Sequence, residues 1–208
     1  MPVTRCGSAC CRCTGMDSLR DLLQHTLLYV LLPMWMLAGL GDWLIHRVQR
    51  IEHTAGLKES LSHLAMLAEL GPCLVLVLLF EINSLVLVTL TVACIAHELT
   101  VWWDLNYAMS RRTITVVEQW VHSFQLAAPW VTLVALVLLH WPQAQALAGF
   151  GPEAADWTLH WKEPGLPTPT IVGAIVLGVV MVAVPFAEET WRCWSVRSDE
   201  ARPDIKPG

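Results

Sequence analysis

Long apolar runs, interrupted by short polar clusters, dominate the chain. A bilayer core of ~30 Å needs about 20 helical residues at 1.5 Å each. Five runs approach that length: Thr26–Ile45, Ala65–Phe80, Ser84–Trp103, Leu126–Leu139 and Thr170–Phe186. The second and fourth are short and require an extension at one end or a tilt. Only Glu81, Ile82 and Asn83 separate the second from the third, which predicts a tight helical hairpin. Trp43, Trp102, Trp103, Trp141, Trp191 and Trp194 fall near the predicted ends, where indole rings sit at headgroup level. The expected fold is an all-α integral membrane protein, a bundle of about five transmembrane helices with cytoplasmic helical extensions.

Composition supports this class. Apolar residues make up 55% of the 208 and charged residues only 15%. Soluble domains average ~25% charged, so the chain lacks the ionic surface to cover a globule. A net charge of −5 gives no basic face for nucleic acid. Loops one and three and the C-terminal tail hold nine Lys and Arg; the N-terminal tail and fourth loop hold four. The positive-inside rule then places the chain in an inner or plasma membrane, N-terminus outside and C-terminus cytoplasmic.

The expected organisation is a flexible tail over residues 1–20, one membrane domain over 21–194, and a disordered tail over 195–208. Cys6, Cys10, Cys11 and Cys13 crowd the first tail. Their spacing fits no zinc or iron–sulfur pattern, so this segment reads as a tail or as an over-extended start preceding Met16. Cys73, Cys94 and Cys193 are isolated, and no disulfide framework is implied. Residues 141–169, rich in Pro and Gly, form an external loop, either a structured lid or flexible.

The polar residues change the picture most. Five of the eight histidines lie between residues 46 and 122, among carboxylates. Positions four apart on a helix differ by about 40° and positions seven apart by about 20°. Asp42 and His46, Glu59 and His63, and Glu118 and His122 are four apart; His46 and His53, and His97 and Asp104, are seven apart. Each pair would share a helix face, and under the five-span topology all lie toward the cytoplasmic side. Residues 43–65 read as a helical extension of the first span, and residues 101–124 as an extension of the third with a turn near Met109–Arg111.

Imidazoles and carboxylates facing inward from several helices are the donor set of a dinuclear metal site. Buried charge is otherwise costly unless paired or coordinated. The first-choice ligands are Glu59, His63, His97, Glu118 and His122. His46, Asp104, Asp42, His53 and Glu52 follow, some of them orienting ligands. Glu188 and Glu189 end the fifth span on the same side and are further contributors. The Glu-x-x-His spacing of di-iron bundles is absent, as are the H-x-x-H-H boxes of membrane desaturases. The expected function is a membrane-embedded metalloenzyme, of di-iron oxygenase or hydroxylase type, with two iron ions acting on a lipid-like substrate. Zinc, manganese or heme are the alternative cofactors. Its partners would be membrane lipid and an external electron donor. The competing readings are a bis-His heme protein, a metal-ion carrier or sensor, and a non-catalytic assembly protein with a solvated ion-pair network.

Overall fold

The computed structural model describes residues 18–200. The cysteine-rich segment and the last eight residues lie outside the described residues. Among the described residues the chain is helical, with no strand beyond one isolated bridge between Phe80 and Trp161. Five helices are long and apolar enough to cross a membrane: α1 (Ser18–Gln49), α2 (Leu57–Leu79), α3 (Ser84–Met109), α4 (Val116–Leu139) and α6 (Thr168–Arg197). A short α5 (Trp141–Leu147) follows α4.

The first two spans meet differently from the expectation. Of residues 43–65, only those up to Gln49 continue α1. Arg50 adopts a left-handed conformation (φ 54°) that stops the helix, a single 3₁₀ turn covers Ile51–His53, and Gly56 (φ 66°) restarts the chain into α2. Only glycine takes that second geometry without strain. Glu59 and His63 therefore belong to the N-terminal turns of α2. Helix α3 likewise ends at Met109, and α4 opens at Val116, ten residues before the apolar run begins. Both short apolar runs gain length at their N-termini, where Glu59, His63 and Glu118 are buried against other helices.

Local chemistry fixes the remaining ends. Asn83 caps α3 by accepting from the Val86 amide at 3.1 Å. Thr115 and Glu118 form a capping box at the start of α4. The π-helical turns at Leu27–Leu31 and Val179–Ala183 each lie just before a proline, Pro33 and Pro185. A helical proline lacks an N–H and crowds the carbonyl four residues earlier, here Tyr29 and Met181, which widens the preceding turn.

The five long helices form a closed ring. Helix α1 packs on α4, α4 on α3, α3 on α2, α2 on α6, and α6 returns to α1. Much of the outward surface is apolar, with Val92, Val131 and Val180 more than half exposed. That is the reverse of a soluble bundle. The 141–169 segment is tied down: Asn83 Nδ2 donates to the Thr158 carbonyl at 2.6 Å, and Phe80 stacks on Trp161.

Candidate metal centre

All five long helices converge on one polar cluster at a single end of the ring. Helix α1 supplies Asp42 and His46, α2 Glu59 and His63, α3 Asp104, α4 Glu118 and His122, and α6 Glu189. All but His122 are essentially buried. Ligand atoms of Asp42, His46, Glu118 and His122 lie within 4.8 Å of one another, as do those of His46, Glu59 and His63. The four-residue pairs on α1, α2 and α4 each deliver both members to this cluster.

His46 stands at the centre. Its Nε2 is 3.4 Å from Asp42, 3.3 Å from Glu118 and 3.8 Å from Glu59. His63 stacks on it, with ring centroids 4.8 Å apart and planes within 14°. Glu189 clamps the pair: Oε2 lies 3.0 Å from His46 Nδ1, and Oε1 lies 2.8 Å from His63 Nδ1. An ionised carboxylate only accepts, so both Nδ1 atoms donate and both Nε2 atoms carry a lone pair when the rings are neutral, that of His46 facing Arg112 Nη2 at 3.3 Å. That is how a carboxylate prepares an imidazole for a metal. His63 Nε2 faces Asp104 Oδ2 at 3.6 Å, and His122 Nε2 faces Asp42 Oδ1 at 3.0 Å. Ser62 donates to Asp104 and fixes its position.

Arg112, from the α3–α4 loop, enters the cluster from its polar side. Its Nε is 3.1 Å from both Glu59 oxygens, Nη1 donates to Gln49 Oε1 at 2.8 Å, and Nη2 reaches Glu59 and Glu118. Burial alone would disfavour the charged guanidinium. The hydrogen bonds and charges of Glu59 and Glu118 more than offset this and raise its pKa above the usual arginine value. Gln49 Nε2 also donates to Glu118 Oε2 at 2.7 Å, and the capping box holds Glu118 from behind.

The charges do not balance. Asp42, Glu59, Asp104, Glu118 and Glu189 set five carboxylates against one guanidinium. Four negative charges stay uncompensated while the imidazoles are neutral. Burial at this density demands protons or cations, and the donors match those that bind borderline divalent metals.

On the opposite side the cluster opens into a cavity of about 250 Å³ inside the ring. Asp42, His63, Asp104 and His122 form its polar end, and its walls are chiefly apolar, with contributions from all five long helices. His97 lines the same cavity but does not join the cluster. Its Nδ1 is buried without a hydrogen-bond partner, 3.6 Å from Glu69 Oε2.

Two further sequence-predicted residues lie elsewhere. Glu52 pairs with Arg192. His53 is exposed, with Nε2 at 3.3 Å from Arg50, because the break at Arg50 turns it away from the face of His46. Glu188 accepts from Trp43 Nε1 at 2.8 Å and pairs with Arg47 outside the cluster. Sequence reasoning undervalued Glu189, and the signal was available. Phe186, Glu189 and Cys193 recur at helical spacing, and all three are buried, so one acidic residue sits on an otherwise apolar stripe.

No family model matches the chain, and no curated protein or solved structure matches it.

Proposed function

We propose that the chain is an integral membrane metalloenzyme whose five-helix ring holds two divalent metal ions, iron in the first instance. The observation that carries this reading is the buried gathering of five carboxylates and three imidazoles around one guanidinium, an excess of four negative charges when the imidazoles are neutral, as metal ligands must be. Two divalent cations supply the four positive charges needed to neutralise it. Asp42, His46, Glu118 and His122 would hold one ion, and Glu59 and His63 the other, with Asp104 beside His63 Nε2 and Glu189 orienting the two stacked imidazoles.

The apolar exterior of the ring supports insertion in a bilayer, and the Lys and Arg distribution favours an outside N-terminus and a cytoplasmic C-terminus. The apolar cavity at the cluster supports a hydrocarbon substrate. A bound iron pair would supply dioxygen activation. The corresponding reaction is hydroxylation: one oxygen atom enters a C–H bond and the other leaves as water. Two electrons and two protons are consumed, the electrons coming from an external donor. The residues of the chain position the hydrocarbon in a dry cavity and present Asp104 and Asp42 as polar groups at its end.

A bis-His heme fits less well. It would pair His97 with His46 or His63, but the Nδ1 atoms of both His46 and His63 are held by Glu189 and the two rings stack on each other, and the cavity that His97 shares with His63, about 250 Å³, is small for a macrocycle. A metal carrier needs ligands along the span, but the cluster occupies one end only.

Elemental analysis of the detergent-purified chain tests the proposal. About two iron atoms per chain are expected, lost in His46→Ala and His63→Ala variants that retain native helicity. A metal-free wild-type protein, prepared without chelator and with iron available during expression, would overturn it. A stoichiometric content of zinc, which has no redox chemistry, would keep the site and remove the oxidation.

A further inference from the structure

A second cavity, of about 660 Å³, occupies the other end of the ring. Trp35, Leu70 and Leu74 line both cavities, so the two adjoin. Both π-helical turns contribute to the walls, Leu27, Leu28 and Leu31 in the outer cavity and Val179, Val182 and Ala183 in the inner one. Widened turns of this kind recur at functional sites. On α2, fifteen residues separate Leu78 in the outer cavity from His63 at the cluster, a rise of about 22 Å. The same measure on α1, from Leu28 to Asp42, gives about 21 Å. That is roughly two-thirds of a ~30 Å hydrocarbon core.

The mouth of the outer cavity is polar. Arg20 from α1, His140 at the end of α4 and Lys162 from the 141–169 segment converge there. Arg20 Nη2 donates to the Leu139 carbonyl, and Lys162 Nζ donates to the Val77 carbonyl at 2.7 Å. Neither has an ion-pair partner among the described residues. Glu81 and Glu163 also border the mouth and, like Arg20, are exposed; neither forms an ion pair with Arg20 or Lys162 among the described residues. Lys162 is half-buried; burial pulls its pKa below the usual lysine value, and Glu81 offsets this only in part. Two cations that form no ion pair among the described residues, at the head of an apolar shaft, complement an anion attached to a hydrocarbon chain.

We propose that the two cavities form one channel for a single-chain amphiphile with an anionic head, the head held at Arg20 and Lys162 and the far end of the chain delivered to the His/carboxylate cluster. Residues near the methyl end of the chain, rather than those beside the head, would then face the cluster. The chemical consequence, oxidation remote from the head group, rests on the metal-site reading; the binding mode does not.

Photo-crosslinking of the full-length protein in maltoside micelles tests the binding mode. Two palmitate probes are used, with a diazirine beside the carboxylate or near the methyl end, and adducts are mapped by peptide mass spectrometry. The methyl-end probe is expected to label α2 around Met66 and Leu67 and α6 around Val182. The carboxylate-side probe is expected to label α1 near Leu28 and α4 near Leu133. Unlabelled palmitate should compete, and hexadecanol should compete about tenfold less well or worse, since charge-assisted hydrogen bonds to the head are lost. Arg20→Ala with Lys162→Ala should weaken labelling by a similar factor. The ligand series on wild-type protein gives the same information if that double variant misfolds. Methyl-end adducts at the outer mouth, or on lipid-facing Val92 and Val131, would overturn the channel. Equal competition by hexadecanol, or stronger competition by a zwitterionic lysophospholipid, would overturn the anionic head. Labelling should persist in the His46→Ala variant. Correct labelling of a protein without metal would leave the channel standing and remove the metal reading alone.

Discussion

Arg112 gives the sharpest test of the charge balance. Among the described residues it is the one fixed cation inside the cluster, with a side chain only 4% exposed. Arg112→Ala removes its contacts with Glu59, Glu118 and Gln49 and leaves two buried carboxylates without a counter-charge. Breaking a buried pair by deleting one partner costs about 3–5 kcal/mol. For a chain of this length each kcal/mol lowers the melting temperature by roughly 2–4 °C, so the metal-free variant should melt about 6–20 °C below the metal-free wild type. A divalent cation would take up the carboxylate oxygens that Arg112 now occupies. A ligand at 1,000 times its Kd stabilises by about 4.1 kcal/mol, the same size as the loss. Scanning fluorimetry of both proteins, with chelator and then with excess Fe(II) or Mn(II) under argon, reads the two quantities. The deficit of the variant should shrink by at least half when metal is added. An equal deficit in both conditions would refute the idea that guanidinium and metal answer the same buried charge.

Four other outcomes follow from the geometry. Glu189→Gln keeps the shape but confronts one imidazole N–H with an amide N–H; metal affinity by chelator competition should fall 10–100-fold while helicity by circular dichroism is unchanged. Thr115→Ala removes the capping box and should cost about 1 kcal/mol, or roughly 2–4 °C of melting temperature, without changing metal stoichiometry. His140 is held near pKa 4, first by burial and then by the charges of Arg20 and Lys162. The unfolded chain takes up that proton near pH 6.5, so the stability it confers is full above 6.5 and is lost as pH falls toward 4; the wild type should lose more melting temperature across that window than His140→Gln. Phosphatase fusions after His160 should be active and fusions after Ser110 inactive if the N-terminus is outside.

Much of this arrangement was legible in the residues. Apolar run lengths located the five long apolar helices, and the four-residue pairs Asp42/His46, Glu59/His63 and Glu118/His122 all reach one cluster because each pair lies within an unbroken helix. The seven-residue pair His46/His53 does not, since α1 ends between its members. A left-handed Arg50 carries no strong sequence signal, unlike Gly56, and so the break was invisible. Arg112 was legible only as a loop cation. Its entry into the cluster depends on the packing of α3 against α4, which no local pattern encodes. His97 shares a face with Asp104, yet two helical turns put it about 10 Å deeper, along the cavity wall rather than at its end.

The placement of the cluster also bears on how the ring holds together. On the reading that the ring sits in a bilayer, its apolar helices have no hydrophobic drive to associate, because acyl chains are as apolar as leucine. The five candidate spans bury only 17% to 33% of their apolar windows within the chain, and a central cavity removes further contacts. Association must then lean on interactions that lipid cannot replace. The cluster is the one place where all five helices meet through charged groups: Glu189 ties α6 to α1 and α2, Asp42 ties α1 to α4, and Arg112 joins the α3–α4 loop to α2 and α4. On the proposed reading, a metal pair in this position would act as a closure of the ring as well as a reactive centre, so that binding and folding are coupled. Chelation should therefore loosen the end of the bundle at Arg50–Gly56 and Ser110–Thr115 before the Asn83 hairpin, an order that amide hydrogen exchange with and without metal would resolve.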